Sequence, residues 1–162
     1  MKKVFLKLNE RRLSILLVFC IAINAAACTV KLISSYDEQT DRSVSALQKK
    51  VETFLVGLEN LDGLPECTYT HQKLFYRDTT VDLSAMKVRA AAIPQNEITT
   101  QQLDLLSNSL EDLEELHKVK SEKQTGKKCL SKQEIRPLRD NFATSFTAIL
   151  KLELAKKRGD VK

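Results

Sequence analysis

The fold class is decided by the stretch VSALQKKVETFLVGLENL, which occupies residues 44–61. Its apolar residues recur at alternating steps of three and four, which places them along one side of an α-helix. The members of this stripe are Val44, Leu47, Val51, Phe54, Leu58 and Leu61. The stretch therefore predicts a helix with one apolar side, and Leu32, Ile33 and Tyr36 extend the pattern toward the N-terminus.

The same spacing returns three times further along the chain. The second stripe consists of Tyr76, Thr79, Leu83, Met86, Ala90 and Ile93, and the third of Leu103, Leu106, Leu110 and Leu113. The fourth consists of Ile135, Leu138, Phe142, Ile149 and Leu152, with Phe146 beside it. Narrow apolar stripes pack against partner helices. Four of them predict an all-α protein, an antiparallel up-down four-helix bundle that follows an N-terminal signal or anchor helix.

Loop and capping residues mark the ends of the predicted helices. Pro94 ends the second helix because the residue before a proline is pushed out of the helical region. A capping box pairs a Ser or Thr with a Glu or Gln three residues later. Two such boxes, at 99–102 and 131–134, predict the starts of the third and fourth helices. The connections are predicted near 62–68, 94–98 and 120–130, with Gly63 and Gly126 as loop residues.

The N-terminal segment differs in composition from the rest of the chain. Residues 1–12 are basic, residues 13–23 form an apolar run, and three Ala residues lead to Cys28. This is the order of an export signal peptide. The apolar run is shorter than the roughly 20 residues that a membrane-spanning helix needs. We therefore predict a signal peptide at 1–27 and one helical domain at 28–162.

The net charge of +5 belongs mostly to this segment. Residues 1–27 hold five Lys or Arg side chains and one Glu, against 26 basic and 21 acidic side chains in the whole chain. The remainder carries 21 basic and 20 acidic side chains and is nearly neutral. Binding to nucleic acid depends on concentrated positive charge, so we expect no nucleic-acid partner.

The sequence Ala25-Ala26-Ala27-Cys28 resembles the lipobox of bacterial lipoproteins. In that family the Cys thiol receives diacylglycerol and the chain is cut before it. The resemblance implies a covalent lipid on Cys28, no other cofactor, and attachment to a membrane. Thr29 follows where inner-membrane lipoproteins carry Asp, which implies an outer-membrane location facing the periplasm. Two alternatives are an ordinary signal-peptidase cut that leaves Cys28 free and an uncleaved anchor helix.

Two cysteines remain once the signal peptide and the lipid are taken into account. Cys20 leaves with the signal peptide, whereas Cys67 and Cys129 form a pair in an exported chain. Exported compartments are oxidising, so we predict a disulfide between them. Metal binding is the alternative, although the chain has no CxxC spacing. In an up-down bundle the first and third connections lie at the same end, which makes Cys67 and Cys129 neighbours far from the anchor.

Catalytic and metal-binding patterns are few. Glu114 and His117 have the Glu-x-x-His spacing of half a di-iron site. The second half is missing, because Thr68 stands three residues before His71. We therefore expect no metal site and place Glu114 and His117 at a helix end near solvent. The sequence also has neither a Gly-x-Ser-x-Gly elbow nor a phosphate-binding glycine pattern, which favours a non-enzymatic protein.

Basic side chains concentrate around the third connection and near the C-terminus. The first group is a candidate patch for binding another envelope protein or the cell-wall polymer, and the alternative is a solvated loop. Its members are Lys118, Lys120, Lys123, Lys127 and Lys128. The second group is Lys156, Lys157 and Arg158. These cations would lie near membrane headgroups or would only complement the helix dipole.

These patterns favour a non-enzymatic, lipid-anchored periplasmic protein that serves in interaction or envelope maintenance. One alternative is a helical bundle that binds a small apolar ligand in an internal cavity, with Tyr69, Phe75 and Tyr76 as candidate lining residues. A second is a helical hydrolase. It would require His71 or His117 to meet acidic side chains.

Overall fold

A computed structural model describes residues 33–122 and 128–160 of the chain. Its four helices are α1 (Glu38–Asn60), α2 (Tyr69–Ala92), α3 (Glu97–Ser121) and α4 (Lys132–Asp160). A short 3₁₀ turn, Pro65–Cys67, lies between α1 and α2. The described residues contain no β-strand. The predicted signal peptide and Cys28 lie outside the described residues.

The helices pack as a ring in which α1 and α3 each contact both α2 and α4. Cross-helix pairs fix their directions, because a residue early in one helix meets a residue late in the next. Examples are Asp37–Arg89 and Lys50–Asp82 between α1 and α2, and Thr99–Glu153 and Lys120–Glu134 between α3 and α4. The predicted antiparallel up-down bundle is therefore confirmed.

This topology gives the bundle two ends. We call the end formed by residues 33–40, 90–99 and 153–160 the proximal end, and the end formed by residues 58–69, 117–122 and 128–134 the distal end. None of the described helices is long and apolar enough to cross a membrane.

The core lies between the four helices and follows the predicted stripes. The stripe positions are buried on α1 and α3, namely Val44, Leu47, Val51, Phe54 and Leu58 on α1 and Leu103, Leu106, Leu110 and Leu113 on α3. The prediction for α4 was wrong at two positions, because Phe146 is buried in the core and Leu152 is only half-buried. A step of four from Ile149 reaches Glu153, which is why the buried side of α4 continues through polar residues.

Helix ends agree with the predictions in part. α2 ends at Ala92, two residues before Pro94. The capping box at the start of α4 is confirmed, since the Ser131 amide and hydroxyl both donate to Glu134 at 2.9 and 2.8 Å. The box at 99–102 was wrong, because α3 begins at Glu97 and Thr99 is buried inside it.

The predicted extension of α1 toward the N-terminus was also wrong. Asp37 caps α1, since its carboxylate accepts a hydrogen bond of 2.9 Å from the Thr40 amide. Ile33 and Tyr36 precede this cap and are not helical. A capping carboxylate satisfies a backbone N–H that has no partner within the helix, so it fixes the point where the helix begins.

Replacing Ser131 by Ala should destabilise the protein by about 1 kcal/mol, because α4 would lose its N-terminal cap. Urea unfolding followed by circular dichroism measures this loss. Thr144→Ala is the matched control, since Thr144 is exposed in the middle of α4 and its hydroxyl only donates back to the Asp140 carbonyl. Equal stability of the two variants would contradict a capping role for Ser131.

Candidate functional site

Polar side chains occupy the buried side of the helices at the proximal end. On α3, Thr99 lies four residues before the buried Leu103. On α4, Glu153 and Lys156 continue the spacing of Ile149 at steps of four and three. We call these three residues, together with Ser34 and Asn96, the proximal cluster.

Lys156 lies at the centre of the proximal cluster. Its side chain is 3% exposed, and its ammonium nitrogen is 2.7 Å from Asn96 Oδ1, 2.7 Å from Thr99 Oγ1 and 2.6 Å from Glu153 Oε1. An ammonium group has three protons to donate, so all of its donors are used. Burial of a charge requires this kind of compensation.

The partners of Lys156 are themselves held in place. Thr99 Oγ1 donates a hydrogen bond of 2.9 Å to Glu153, while Asn96 Oδ1 also accepts one of 2.8 Å from Ser34. Asn96 Nδ2 donates to the Ala90 carbonyl at 3.0 Å. Among the described residues, Glu153 Oε2 is a buried oxygen without a hydrogen-bond partner. The cluster connects the segment before α1 with α3 and α4.

The position of Lys156 differs from the prediction. Its place in the sequence groups it with Lys157 and Arg158, as cations near membrane headgroups or at the negative end of the helix dipole. Lys156 instead points into the bundle, whereas Lys157 and Arg158 are exposed. A lysine can occupy the buried side of a helix when acceptors surround its ammonium group and compensate the charge.

The segment of residues 33–37 is fastened to the proximal end. The Ser34 amide donates to the Gln95 carbonyl at 2.8 Å, and the Tyr36 amide donates to Asp160 at 2.6 Å. Arg89 binds both carboxylate oxygens of Asp37 at 2.6 Å. Arg89 thereby holds the pKa of Asp37 well below its usual range. Contacts from α2, α4 and the turn between α2 and α3 therefore fix the direction in which the chain enters the bundle.

A disulfide joins the first and third connections at the distal end. It links Cys67 to Cys129, whose Cα atoms are 5.6 Å apart. The predicted pairing is therefore present, on the side of the bundle that the topology indicated. Ser121 makes a second link, because its hydroxyl accepts from the Tyr69 amide at 2.8 Å and donates to the Lys128 carbonyl at 3.2 Å.

His117 contacts the first connection, at Cys67, from inside the bundle. Its Nε2 lies 2.7 Å from the Cys67 carbonyl oxygen and its Nδ1 lies 2.8 Å from the Tyr76 hydroxyl. Because a carbonyl can only accept, Nε2 carries the proton and Nδ1 accepts from Tyr76. Burial lowers the pKa of His117, although the hydrogen bond to Cys67 opposes this effect.

The prediction that His117 lies near solvent was wrong, since its side chain is fully buried. His117 continues the α3 stripe four residues after Leu113. The ring nitrogens of His117 contact the Tyr76 hydroxyl and the Cys67 carbonyl instead of a carboxylate. Glu114 lies beside it in sequence, but its carboxylate binds Tyr69 at 2.7 Å and Lys118 at 2.7 Å. The Glu-x-x-His pair thus serves the packing of the distal end.

Stability should decrease as the pH falls from about 7 to 5.5, in part because His117 is neutral in the folded state. The unfolded chain binds a proton on this histidine below about pH 6.5, whereas burial lowers the pKa in the fold. The contribution is therefore present above that pH and is lost below it, with a slope of at most about 1.4 kcal/mol per pH unit. His117→Gln should reduce the slope of unfolding free energy against pH.

His71→Gln is the control for this measurement, because His71 is exposed. It separates the effect of the buried site from the loss of an imidazole elsewhere on the chain. If His117→Gln changed the slope no more than His71→Gln does, His117 would have no part in the pH dependence.

The aromatic side chains of the distal half belong to the core and its margin. Phe54 and Phe75 stack with ring centroids 3.6 Å apart, and Tyr76 meets Phe54 edge-on at 5.4 Å. Tyr76 is buried, while Tyr69 and Phe75 are partly buried against the core. A groove of about 330 Å³ between α1 and α2 is open to solvent. The alternative function, binding of a small apolar ligand, predicts a cavity enclosed between the helices. This groove is open to solvent and is not such a cavity.

The predicted lysine patch is only partly within the described residues. Lys118 binds Glu114 and lies 5.0 Å from the centre of the Tyr69 ring, and Lys120 pairs with Glu134. Lys128 is exposed. Lys123 and Lys127 lie outside the described residues. The two lysines on α3 are thus engaged in contacts that join helices at the distal end.

Comparisons with protein-family models, curated proteins and solved structures give no match. The candidate sites are therefore interpreted from geometry alone. In the parts of the chain that the structure describes, no three His, Cys, Asp or Glu side chains are arranged to hold a metal ion.

Sequence reasoning missed the proximal cluster and the burial of His117. Both could have been found by continuing the three-four spacing past the last apolar residue of each stripe. Thr99 and His117 lie one step beyond the two ends of the α3 stripe. Glu153 and Lys156 lie one and two steps beyond Ile149, the last buried apolar residue of α4. A stripe that ends where its apolar residues end assumes that the buried side of the helix contains no charged group.

Proposed function

We propose that this protein is a lipid-anchored, non-enzymatic helical module of the bacterial cell envelope that acts in interaction or envelope maintenance. The observation that carries the proposal is the basic and apolar N-terminal segment followed by Ala25-Ala26-Ala27-Cys28. This arrangement resembles that of bacterial lipoproteins, which carry diacylglycerol on the Cys and a new N-terminus at the same residue. Two or more acyl chains give stable membrane attachment.

The geometry of the proximal end supports this proposal. Residue 33 is close in sequence to Cys28, and the segment from 33 to 37 is bound to the proximal end. A tether at Cys28 would therefore hold the bundle by that end. α4 has 29 residues and is about 43 Å long, so the disulfide, which lies next to its N-terminal end, is about that far from the proximal end.

The polar groups of the core support a structural role. Lys156 uses its three donors within the proximal cluster, and both ring nitrogens of His117 are occupied. Catalytic acids and bases need access to a substrate. These side chains are directed at other parts of the same bundle.

The proposed site of action is the outer membrane facing the periplasm, with another envelope protein or the cell-wall polymer as the partner class.

Radiolabelled palmitate should be incorporated into the full chain expressed in a Gram-negative host, and Cys28→Ala should abolish the label. Cys20→Ala is the matched control, because Cys20 lies within the apolar run and should not receive lipid. Label that persists in Cys28→Ala, or that is absent from the unchanged chain, would contradict lipidation at Cys28.

A further inference from the structure

Three buried side chains of the proximal cluster are arranged so that they can react with one another. Lys156 carries a primary amine, Asn96 a carboxamide and Glu153 a carboxylate. Asn96 is 4% exposed, and the other two side chains are equally inaccessible. The Lys156 nitrogen lies 2.7 Å from Asn96 Oδ1 and 2.6 Å from Glu153 Oε1. An amine, an amide carbonyl and a proton acceptor thus meet in the interior of the bundle.

The Asn96 side chain is placed differently from an ordinary helix cap. Asn96 precedes α3, where an asparagine commonly accepts a hydrogen bond from the first backbone amides of the helix, but it makes no such bond. Its Nδ2 instead donates to the Ala90 carbonyl at 3.0 Å. The neighbouring Gln95 has a φ of 60°, which is uncommon for a residue other than glycine. The carboxamide of Asn96 therefore faces the interior and leaves the helix end uncapped by it.

We propose that Lys156 and Asn96 form an intramolecular isopeptide bond. The Lys156 nitrogen bonds to Asn96 Cγ, the bond from Cγ to Nδ2 breaks, and Nδ2 leaves as ammonia. No atom is oxidised or reduced, and no further reactant is needed. The product is a secondary amide that joins the start of α3 to the end of α4. The reaction occurs once in each chain, which agrees with a non-enzymatic protein.

Glu153 is the base for this reaction. An ammonium nitrogen has to lose a proton before it can attack a carbonyl carbon, and Glu153 Oε1 is in contact with it. Glu153 Oε2 is buried without a hydrogen-bond partner among the described residues, so it can hold a proton. Lys156 gives up two protons in all. One goes to Nδ2 as it leaves, and the other passes through Glu153 to the released ammonia, which becomes ammonium.

Ser34 stabilises the charge that develops during the attack. As the nitrogen adds to Cγ, negative charge moves onto Asn96 Oδ1, and Ser34 Oγ donates to that oxygen at 2.8 Å. A carbonyl bond is about 1.2 Å long, so the Lys156 nitrogen is no further than about 3.9 Å from Cγ. Reacting atoms are well placed at about 3–3.5 Å. A small rotation of the lysine side chain therefore brings the two atoms together.

Exposure distinguishes Lys156 from other paired lysines of the described residues. The side chains of four lysines that bind a carboxylate across helices or along one helix are between 23% and 43% exposed, namely Lys50, Lys87, Lys118 and Lys120. Water reaches their ammonium groups and keeps them charged. At Lys156, proton transfer to Glu153 leaves two neutral groups in a buried site, where isolated charges are costly.

The bond forms slowly after folding. The neutral amine arises only when Lys156 gives up a proton that its acceptors hold in place, so the ion pair is the starting form. Freshly folded protein therefore contains Lys156 and Glu153 as an ion pair, and urea unfolding of that form measures the pair without the bond. The finished bond adds a cross-link at the proximal end to the disulfide at the distal end.

Peptide mapping of the full chain, purified from host membranes and incubated at growth temperature, tests the inference. Trypsin does not cleave after an acylated lysine, so the bond should give a branched peptide in which residues 90–118 are joined to residues 152–157. Its mass should be that of the two peptides less one ammonia, and its fraction should increase with time. Absence of this peptide after prolonged incubation would overturn the inference. Loss of ammonia from residues 90–118 alone would also overturn it, since Asn96 would then have cyclised onto its own backbone.

Variants of the same chain assign the roles of the two α4 residues. Lys156→Arg keeps a cation without a nucleophilic amine and should give no branched peptide. Lys157→Arg is the matched control, since Lys157 is exposed beside it, and should give the peptide at the unchanged rate. Glu153→Gln keeps both reacting groups and should slow bond formation by about 100-fold or more.

Circular dichroism establishes that each variant is folded before its rate is compared. A folded Glu153→Gln variant that formed the bond as fast as the unchanged chain would contradict the role of Glu153 as the base. The presence or absence of the branched peptide in the unchanged chain decides the bond itself, whatever the variants do. Palmitate labelling tests the lipid anchor separately, because the bond does not depend on it.

Discussion

Removal of the disulfide should destabilise the protein by about 4 kcal/mol. Cys67 and Cys129 are 62 residues apart in sequence, and a cross-link over that span restricts the unfolded chain by roughly this amount in the chain-entropy model. The double variant Cys67→Ser/Cys129→Ser should therefore unfold at a clearly lower urea concentration than the oxidised protein.

The reduced form of the unchanged protein is the control for this experiment. It should unfold at a midpoint close to that of the double variant, because both lack the cross-link. The packing of His117 against the Cys67 carbonyl remains available in both. If the oxidised and reduced proteins unfolded at the same urea concentration, the disulfide would make no contribution to stability.

Replacing Lys156 by Met should destabilise the bundle by about 3–5 kcal/mol, because Glu153 would remain buried without its charged partner. Both side chains are almost inaccessible to solvent, at 3% and 0% exposure. Loss of the ammonium group would also leave Thr99 Oγ1 without its donor. Urea unfolding measures the effect. Lys151→Met is the matched control, since Lys151 is exposed on the same helix.

The double variant Glu153→Leu/Lys156→Met tests whether the cost comes from the unpaired charge. Replacing a buried ion pair by apolar residues of similar size is often neutral or stabilising. The double variant should therefore recover most of the stability that Lys156→Met loses. If it were less stable than Lys156→Met, the network of hydrogen bonds around the pair would be the larger contribution, in contradiction to the expected result.

Most of the fold could be predicted from the spacing of apolar residues. The stripes on α1, α2 and α3 were correct because each keeps one side of its helix apolar over several turns. The pairing of Cys67 with Cys129 also followed, since the up-down order of four helices places the first and third connections at one end. Neither prediction required knowledge of how individual side chains contact each other.

The polar part of the core could not be predicted in the same way. Burial of Lys156 depends on acceptors supplied by Asn96 and Thr99, which are more than 50 residues away in sequence. Burial of His117 depends likewise on Tyr76 and the Cys67 carbonyl. A single sequence shows the spacing that places such groups on the inner side. It does not show the partners that compensate them.

Helix α2 was predicted only on its inner side. One apolar stripe on each helix is the expectation, and the stripe from Tyr76 to Ala90 meets it. Leu74, Val81 and Val88 repeat every seven residues on the opposite side and are exposed. Which side of α2 is exposed depends on the positions of the neighbouring helices, which a single sequence does not show.

The lipid anchor is tested most directly by the intact mass of the mature protein purified from host membranes. The mass should equal that of a chain beginning at Cys28 with diacylglycerol and a further acyl group attached. A mass equal to the unmodified chain from Cys28, or to the full chain from Met1, would contradict the anchor and support ordinary secretion or an uncleaved helix, respectively.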